Sequence, residues 1–147
     1  MGRVVQLHGE LYAREFGYDA TFEALVAEIA AGFLREFEPR AERCWIAEMD
    51  GEVVGSIFLV RSSATVSKLR LLIIHPRARG RGLGRRLTQA CIRFARRAGY
   101  RKLVLWTQSH LTAARAIYQA EGFRKLSEEK HRSFGKRLVA EVWELKL

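Results

Sequence analysis

The chain has 147 residues and carries 26 Lys and Arg against 16 Asp and Glu, a net charge of +10. That length suits one domain with one core, and 48% hydrophobic against 29% charged residues excludes a disordered chain. No apolar stretch approaches the ~20 residues of a membrane span, and no signal-peptide core follows Met1-Gly2-Arg3.

In chain order, Val4-Val5-Gln6-Leu7 is a short strand candidate. Residues 8–19 give no clear pattern, with Tyr12, Phe16 and Tyr18 spaced among charges. Residues 21–37 predict a helix, because Phe22, Leu25, Val26, Ile29, Phe33 and Phe37 keep a three-and-four spacing. Asp19 or Thr21 can cap its start, and Pro39 lies beyond its end. Residues 44–49 and 52–60 are strands joined by Asp50-Gly51, a strong hairpin signal, and Gly55 marks a bulge or a close backbone approach. Residues 68–74 form the central strand. Residues 83–98 form an amphipathic helix that Gly99 ends. A strand follows at 103–107, then a short helix at 112–121 stopped by Gly122, then strands at 123–128 and 138–147. Paired strands first, then strand–helix–strand–helix–strand, imply a mixed sheet with helices on its faces.

The most informative stretch joins the central strand to its helix: His75-Pro76-Arg77-Ala78-Arg79-Gly80-Arg81-Gly82-Leu83-Gly84-Arg85-Arg86. A glycine-rich turn at a helix N-terminus presents unpaired amides toward one point, and the helix dipole favours an anion there. The pattern predicts a phosphate or pyrophosphate cradle. It is not the dinucleotide fingerprint, since the sixth position from Gly80 is Arg85, and it lacks the Gly-Lys-Ser/Thr of a P-loop.

Arg79-x-x-Gly82-x-Gly84, preceded by a strand ending in Ile74-x-Pro76, resembles the acyl-coenzyme A (acyl-CoA) loop of the GNAT acetyltransferase superfamily. Residues 114–123, where Tyr118 precedes Gly122-Phe123, resemble that superfamily's tyrosine helix and the strand after it. The resemblance covers nearly the whole chain. It implies an α/β (α+β) fold: a mixed, mostly antiparallel sheet of roughly six or seven strands, helices on both faces and a splayed central strand pair. It implies one acetyltransferase domain over residues 1–147. Acetyl-CoA would be the cosubstrate, held by Arg79, Gly80, Arg81, Gly82, Leu83, Gly84 and Arg85 and by backbone groups near Leu72 and Ile74. Tyr118 would be the general acid. A phenol with a pKa near ~10 stays protonated at neutral pH and can give its proton to a departing thiolate. Residues 11–17, 44–48, 68–72 and 131–135 more closely resemble the acetyltransferase half of proteins that fuse a MarR-type DNA-binding domain to a GNAT domain.

The family often sets a carboxylate near the start of the central strand, where this chain has Lys68. Base candidates are Glu128, Glu129, His131, Glu10 and His8, while His75 reads as a surface residue. The family's frequent Asn seven residues before the tyrosine is Leu111 here, with Gln108 or Ser109 as substitutes. Tyr12, Phe16, Tyr18 and Phe134 are candidates to line an acceptor pocket or to pack in the core. Cys44 and Cys91 lack metal-ligand spacing, so no metal is expected, and two unpaired thiols fit a cytoplasmic protein. The expected function is N-acetyl transfer to an amine acceptor not identified by the sequence. The alternatives are a non-catalytic acyl-CoA sensor and a basic nucleic-acid module. Nucleic acid ranks below acetyl-CoA as a partner, no membrane partner is expected, and a homodimer is compatible with the sequence.

Overall fold

The computed structural model describes residues 1–147. Helix α1 (Gly2–Phe16) opens it, where a strand is expected at Val4–Leu7. The pair Val4-Val5 favours a strand locally, yet Val4, His8 and Leu11 lie on one helical stripe and are the residues α1 buries. Packing of that stripe overrides the short apolar run. Gly17 ends α1 in the left-handed region (φ 69). Helix α2 (Ala20–Glu36) begins as expected, with the Asp19 carboxylate accepting the Thr21 amide at 3.0 Å. The buried residues of α2 are Val26, Ala30 and Phe33.

Six strands form one sheet: β1 (Arg43–Met49), β2 (Glu52–Arg61), β3 (Val66–Ile74), β4 (Lys102–Gln108), β5 (Arg124–Ser133) and β6 (Lys136–Lys146). Their order is β1-β2-β3-β4-β6-β5. Helix α3 (Leu83–Arg97) links β3 to β4, and α4 (Thr112–Ala120) follows β4. All neighbouring strands run antiparallel except β3 and β4. Asp50 and Gly51 both take positive φ (52 and 79), the geometry of a two-residue hairpin turn that matches strand twist. Phe134 and Gly135 do the same between β5 and β6, so the last two strands form one long hairpin rather than two short separated strands.

Alternation along β2 divides the core. Ile57 and Leu59 join the larger cluster, which contains Leu87, Cys91, Ile92 and Ala95 of α3 and Tyr118 of α4. Phe58 between them packs with Val4 of α1 and Phe33 of α2 on the opposite face.

The parallel pair is short. β3 meets β4 only from Val66↔Lys102 to Leu69↔Leu105, and beyond that the strands separate. β4 stays bound to β6 along its whole length, from Lys102↔Lys146 to Gln108↔Ala140. β3 is diverted by a bulge. Its register on β2 shifts between Ser56 and Phe58, Leu71 adopts φ 53, and the Ser56 hydroxyl donates to Leu71 O at 2.8 Å.

Beside the bulge, β2 and β3 approach closely at Gly55. A Cβ there would lie 3.0 Å from Ile73 O and 3.1 Å from Ile74 Cδ1. Gly55→Ala should therefore destabilise the fold by about 1–3 kcal/mol, the usual cost of overpacking, read as a lower urea midpoint. An unchanged midpoint would show that β3 yields freely there.

Candidate active site

The gap between β3 and β4 opens into a cavity of about 1000 Å³. Its walls come from α1, α2, the bulged half of β3, the free edge of β4 and the first turns of α4. Leu72 lies in the cavity wall, and Ile74 ends β3 where the glycine loop begins.

The loop has the geometry its composition predicts. Gly80 and Gly82 take φ 77 and 71, and a Cβ at either would meet nothing within 4 Å. Gly82 caps α3 without a side chain, and the first helical bond runs from Arg86 N to Gly82 O at 3.0 Å. The amides of residues 81–85 donate to no group of the protein, so they form an open cluster of donors at the positive end of α3. Gly84 serves packing as well, since a Cβ there would lie 2.9 Å from Ile117 Cδ1 on α4. The arginines divide. Arg79 turns inward, with Nε on Ile74 O at 3.0 Å and an ion pair to Glu15 at 2.8 Å that ties the loop to α1. Arg85 pairs with Glu121 at 3.0 Å. Arg81 is exposed and forms no ion pair.

Tyr118 stands in the cavity wall at the foot of α4, 4% exposed, and its hydroxyl forms no hydrogen bond within the protein. Burial, then the nearby Tyr12 and Cys91, push its pKa above the ordinary phenol value, so it holds its proton. Tyr12, also in the wall, is pushed up to about 12 by burial and then by Glu15.

Aromatics from the start of the chain and from the β5–β6 turn both pack together and line the cavity. Tyr12, Phe16, Tyr18, Phe22 and Phe134 pack in mostly tilted and edge-on pairs with ring centroids 4.4–6.0 Å apart, and each borders the space. The Tyr18 hydroxyl shares a 2.6 Å hydrogen bond with His110 Nε2. His110 and Arg70 are cavity residues that sequence reasoning missed. His110 sits in a short polar connection with no motif of its own, while a strand-period reading of residues 68–74 could have found Arg70 beside Lys68.

A family model described as the acetyltransferase (GNAT) family matches residues 8–123. The chain belongs to the GNAT acetyltransferase family. It is 30% identical over 115 residues to human N-acetyltransferase 8, covering 75% of this chain and 49% of that protein. It is 32% identical over 85 residues to the uncharacterized N-acetyltransferase YjgM of Escherichia coli (strain K12), covering 56% and 51%. It thus spans about half the length of each. Among solved structures it resembles a ribosomal-protein-alanine N-acetyltransferase from Brucella melitensis, with a TM-score of 0.77 at 19% identity, covering 99% of this chain and 93% of that one. It also resembles a GNAT family acetyltransferase from Elizabethkingia anophelis with acetyl-CoA bound (TM-score 0.65, 19% identity, 82% of each chain). At these identities the likeness to solved structures is one of fold.

In this GNAT chain the expected bases scatter. Glu128 and Glu129 are exposed on edge strand β5, and Glu10 is exposed on α1, outside the cavity wall. His75 caps the single turn Pro76–Ala78 by accepting the Arg77 amide at 3.1 Å. His131 bonds Gln108 Oε1 at 2.9 Å and the Ser133 hydroxyl at 2.9 Å. Of these candidates only His8 lines the cavity. Its Nδ1–H donates to Val4 O at 2.8 Å, leaving Nε2 buried without a partner. Burial lowers its pKa from 6.5 to about 4, against a smaller opposing effect of the Val4 carbonyl. It is a neutral ring at physiological pH. Leu111 caps α4 where the family often has Asn, and Gln108 beside it has a buried Nε2 without a partner.

His8 gives a pH signature. Its folded pKa lies below its unfolded value, so its contribution to stability is present above pH 6.5 and is lost as pH falls toward 4. Relative to His8→Gln, the wild type should lose a few kcal/mol of unfolding free energy across that window, by urea denaturation at stepped pH. Parallel pH curves for the two proteins would place a charged His8 in the fold.

Proposed function

We propose that this chain transfers an acetyl group directly from acetyl-CoA to an amine. The single observation that carries the reading is that the gap between β3 and β4 and Tyr118 border one cavity, with Arg79 in its wall at the start of the loop whose amides 81–85 are free. Acetyl-CoA supplies the activated thioester and a pyrophosphate that suits the amide cradle. Open space above Gly80 and Gly82 leaves room for that group against the backbone. Arg81 and Arg85 add charge at the rim, and Leu83 and Gly84 contribute amides. Arg79 acts by fixing the loop to Ile74 and Glu15. Backbone groups of Leu72 and Ile74, unpaired on the β4 side, hold the pantetheine amides and polarise the thioester oxygen.

Tyr118 holds its proton at neutral pH and releases it to the departing thiolate, whose parent thiol is comparably weak. The amine loses its proton to solvent, because no carboxylate stands where the family often places one. The unit is one domain over residues 1–147, in the cytoplasm, and it corresponds to the acetyltransferase half of MarR–GNAT fusions. That correspondence rests on the stretches quoted above, and DNA binding does not carry over with it.

Thiol release from acetyl-CoA, with a panel of amines, tests turnover. Gly82→Asp should weaken acetyl-CoA binding by about tenfold or more in calorimetry, through a side chain and a negative charge at the cradle. Gly82→Ala, which adds only the strain of positive φ, should weaken it less. Equal affinity in all three proteins would remove the loop from the binding site.

Tyr118→Phe deletes one hydroxyl and keeps the packing. Turnover should fall by about 10²-fold or more, in kcat and kcat/KM together, with acetyl-CoA affinity little changed and thermal stability retained. Full activity in a folded variant would make Tyr118 a packing residue.

A further inference from the structure

Two cations on β3 lack partners. Lys68 and Arg70, two residues apart on one face of the strand, are each partly buried in the cavity wall. Seven ion pairs are present, and neither residue belongs to any. Neither makes a side-chain hydrogen bond, whereas Arg77, Arg79, Arg85, Lys102, Arg115 and Lys125 each hold a carboxylate. The carboxylates nearby are otherwise placed. Glu42 accepts the Arg61 amide at 2.9 Å and the Glu38 amide at 3.3 Å. Glu28 and Glu36 border the groove behind the cavity, which Lys68 and Arg70 border as well, yet they form an ion pair with neither cation. Two like charges in half-buried positions are unfavourable unless an anion joins them. Burial lowers the pKa of both, and Arg70 adds to the effect on Lys68.

The cradle cannot be the source of that anion. Lys68 stands six residues before Ile74, about 20 Å along an extended strand, and the amide cluster lies further still. The anion must arrive on the other reactant. The walls beside the two cations are apolar: Phe22, Leu25 and Ile29 from α2 and Trp106 from β4. A space with one cationic wall and apolar sides suits a small molecule with a negative group and an apolar body. Resting on the acetyltransferase reading, we propose that Lys68 and Arg70 select an acceptor bearing a carboxylate beside its amine, an amino acid with an apolar side chain. The guanidinium and ammonium take the carboxylate, and the amine is left to face the thioester at the β3 bulge. The reaction is ordinary acyl transfer: the N–C bond forms, the C–S bond breaks, and the amine proton goes to solvent.

The test pairs each apolar amino acid with its decarboxylated amine, such as leucine with isoamylamine and phenylalanine with phenethylamine, in the thiol-release assay. Wild type should favour the amino acid by about tenfold or more in kcat/KM, the scale of a charge-assisted contact. Lys68→Gln/Arg70→Gln should raise KM for the amino acid by about 10- to 100-fold and leave the amine nearly unaffected. Its calorimetric affinity for acetyl-CoA should match the wild type. Either single variant serves if the double one melts early. Equal use of both members of each pair by wild type would overturn the proposal, as would an unchanged preference in the variants. Acetyl-CoA binding with no thiol release from any amino acid would overturn it alone. Failure to bind acetyl-CoA would overturn the acetyltransferase reading and this proposal with it.

Discussion

The structure depends on a strand pair that stops pairing. β4 is held by β6 across its full length, so it cannot follow when β3 turns away. β3 turns because Leu71 occupies the left-handed region and its carbonyl is captured by the Ser56 hydroxyl. A leucine at φ 53 is strained, and strain of that kind persists only where neighbours over-determine it. Here β2 does so on one side and Gly55 permits the approach. The result is an edge of backbone inside the protein that no other strand covers. Such an edge is unfavourable in a closed core and useful beside a ligand that carries amides.

Around that gap the charges are sorted by distance. The amide cluster and the arginines sit at one end of β3, and Lys68 and Arg70 sit at the other. Tyr118, buried and holding its proton, borders the same cavity. Most of the cations behind the net charge of +10 are exposed. Of the three cations that are not exposed, Arg115 pairs with Glu141, and the two left unmatched, Lys68 and Arg70, border the cavity.

Much of this was legible in the sequence, for local reasons. Gly80 and Gly82 take positive φ, a conformation glycine adopts without strain, so the loop announced itself. The period-three-and-four faces of α2 and α3 and the Asp50-Gly51 turn were equally local. Helix α1 was not legible at its start, because Val4-Val5 favours a strand and only burial of Val4 and His8 together against α2 and the sheet reveals the stripe. The Leu71 bulge was hidden for the opposite reason: a leucine gives no hint of positive φ, and Ser56 lies fifteen residues away. The Tyr18–His110 bond joins residues 92 apart, beyond any pattern of spacing. Lys68 was visible as a departure from the family habit, but its meaning needed Arg70 and the absence of partners.

The most direct measurement is an amide NMR titration of the whole chain with acetyl-CoA. If the gap between β3 and β4 is the cofactor slot, saturable shifts should concentrate at residues 81–85, at Leu72 and Ile74, and around Tyr118. The exposed face of β5 should remain unchanged. Saturable shifts confined to other surfaces, with residues 81–85 and 72–74 silent, would contradict the assignment of the slot.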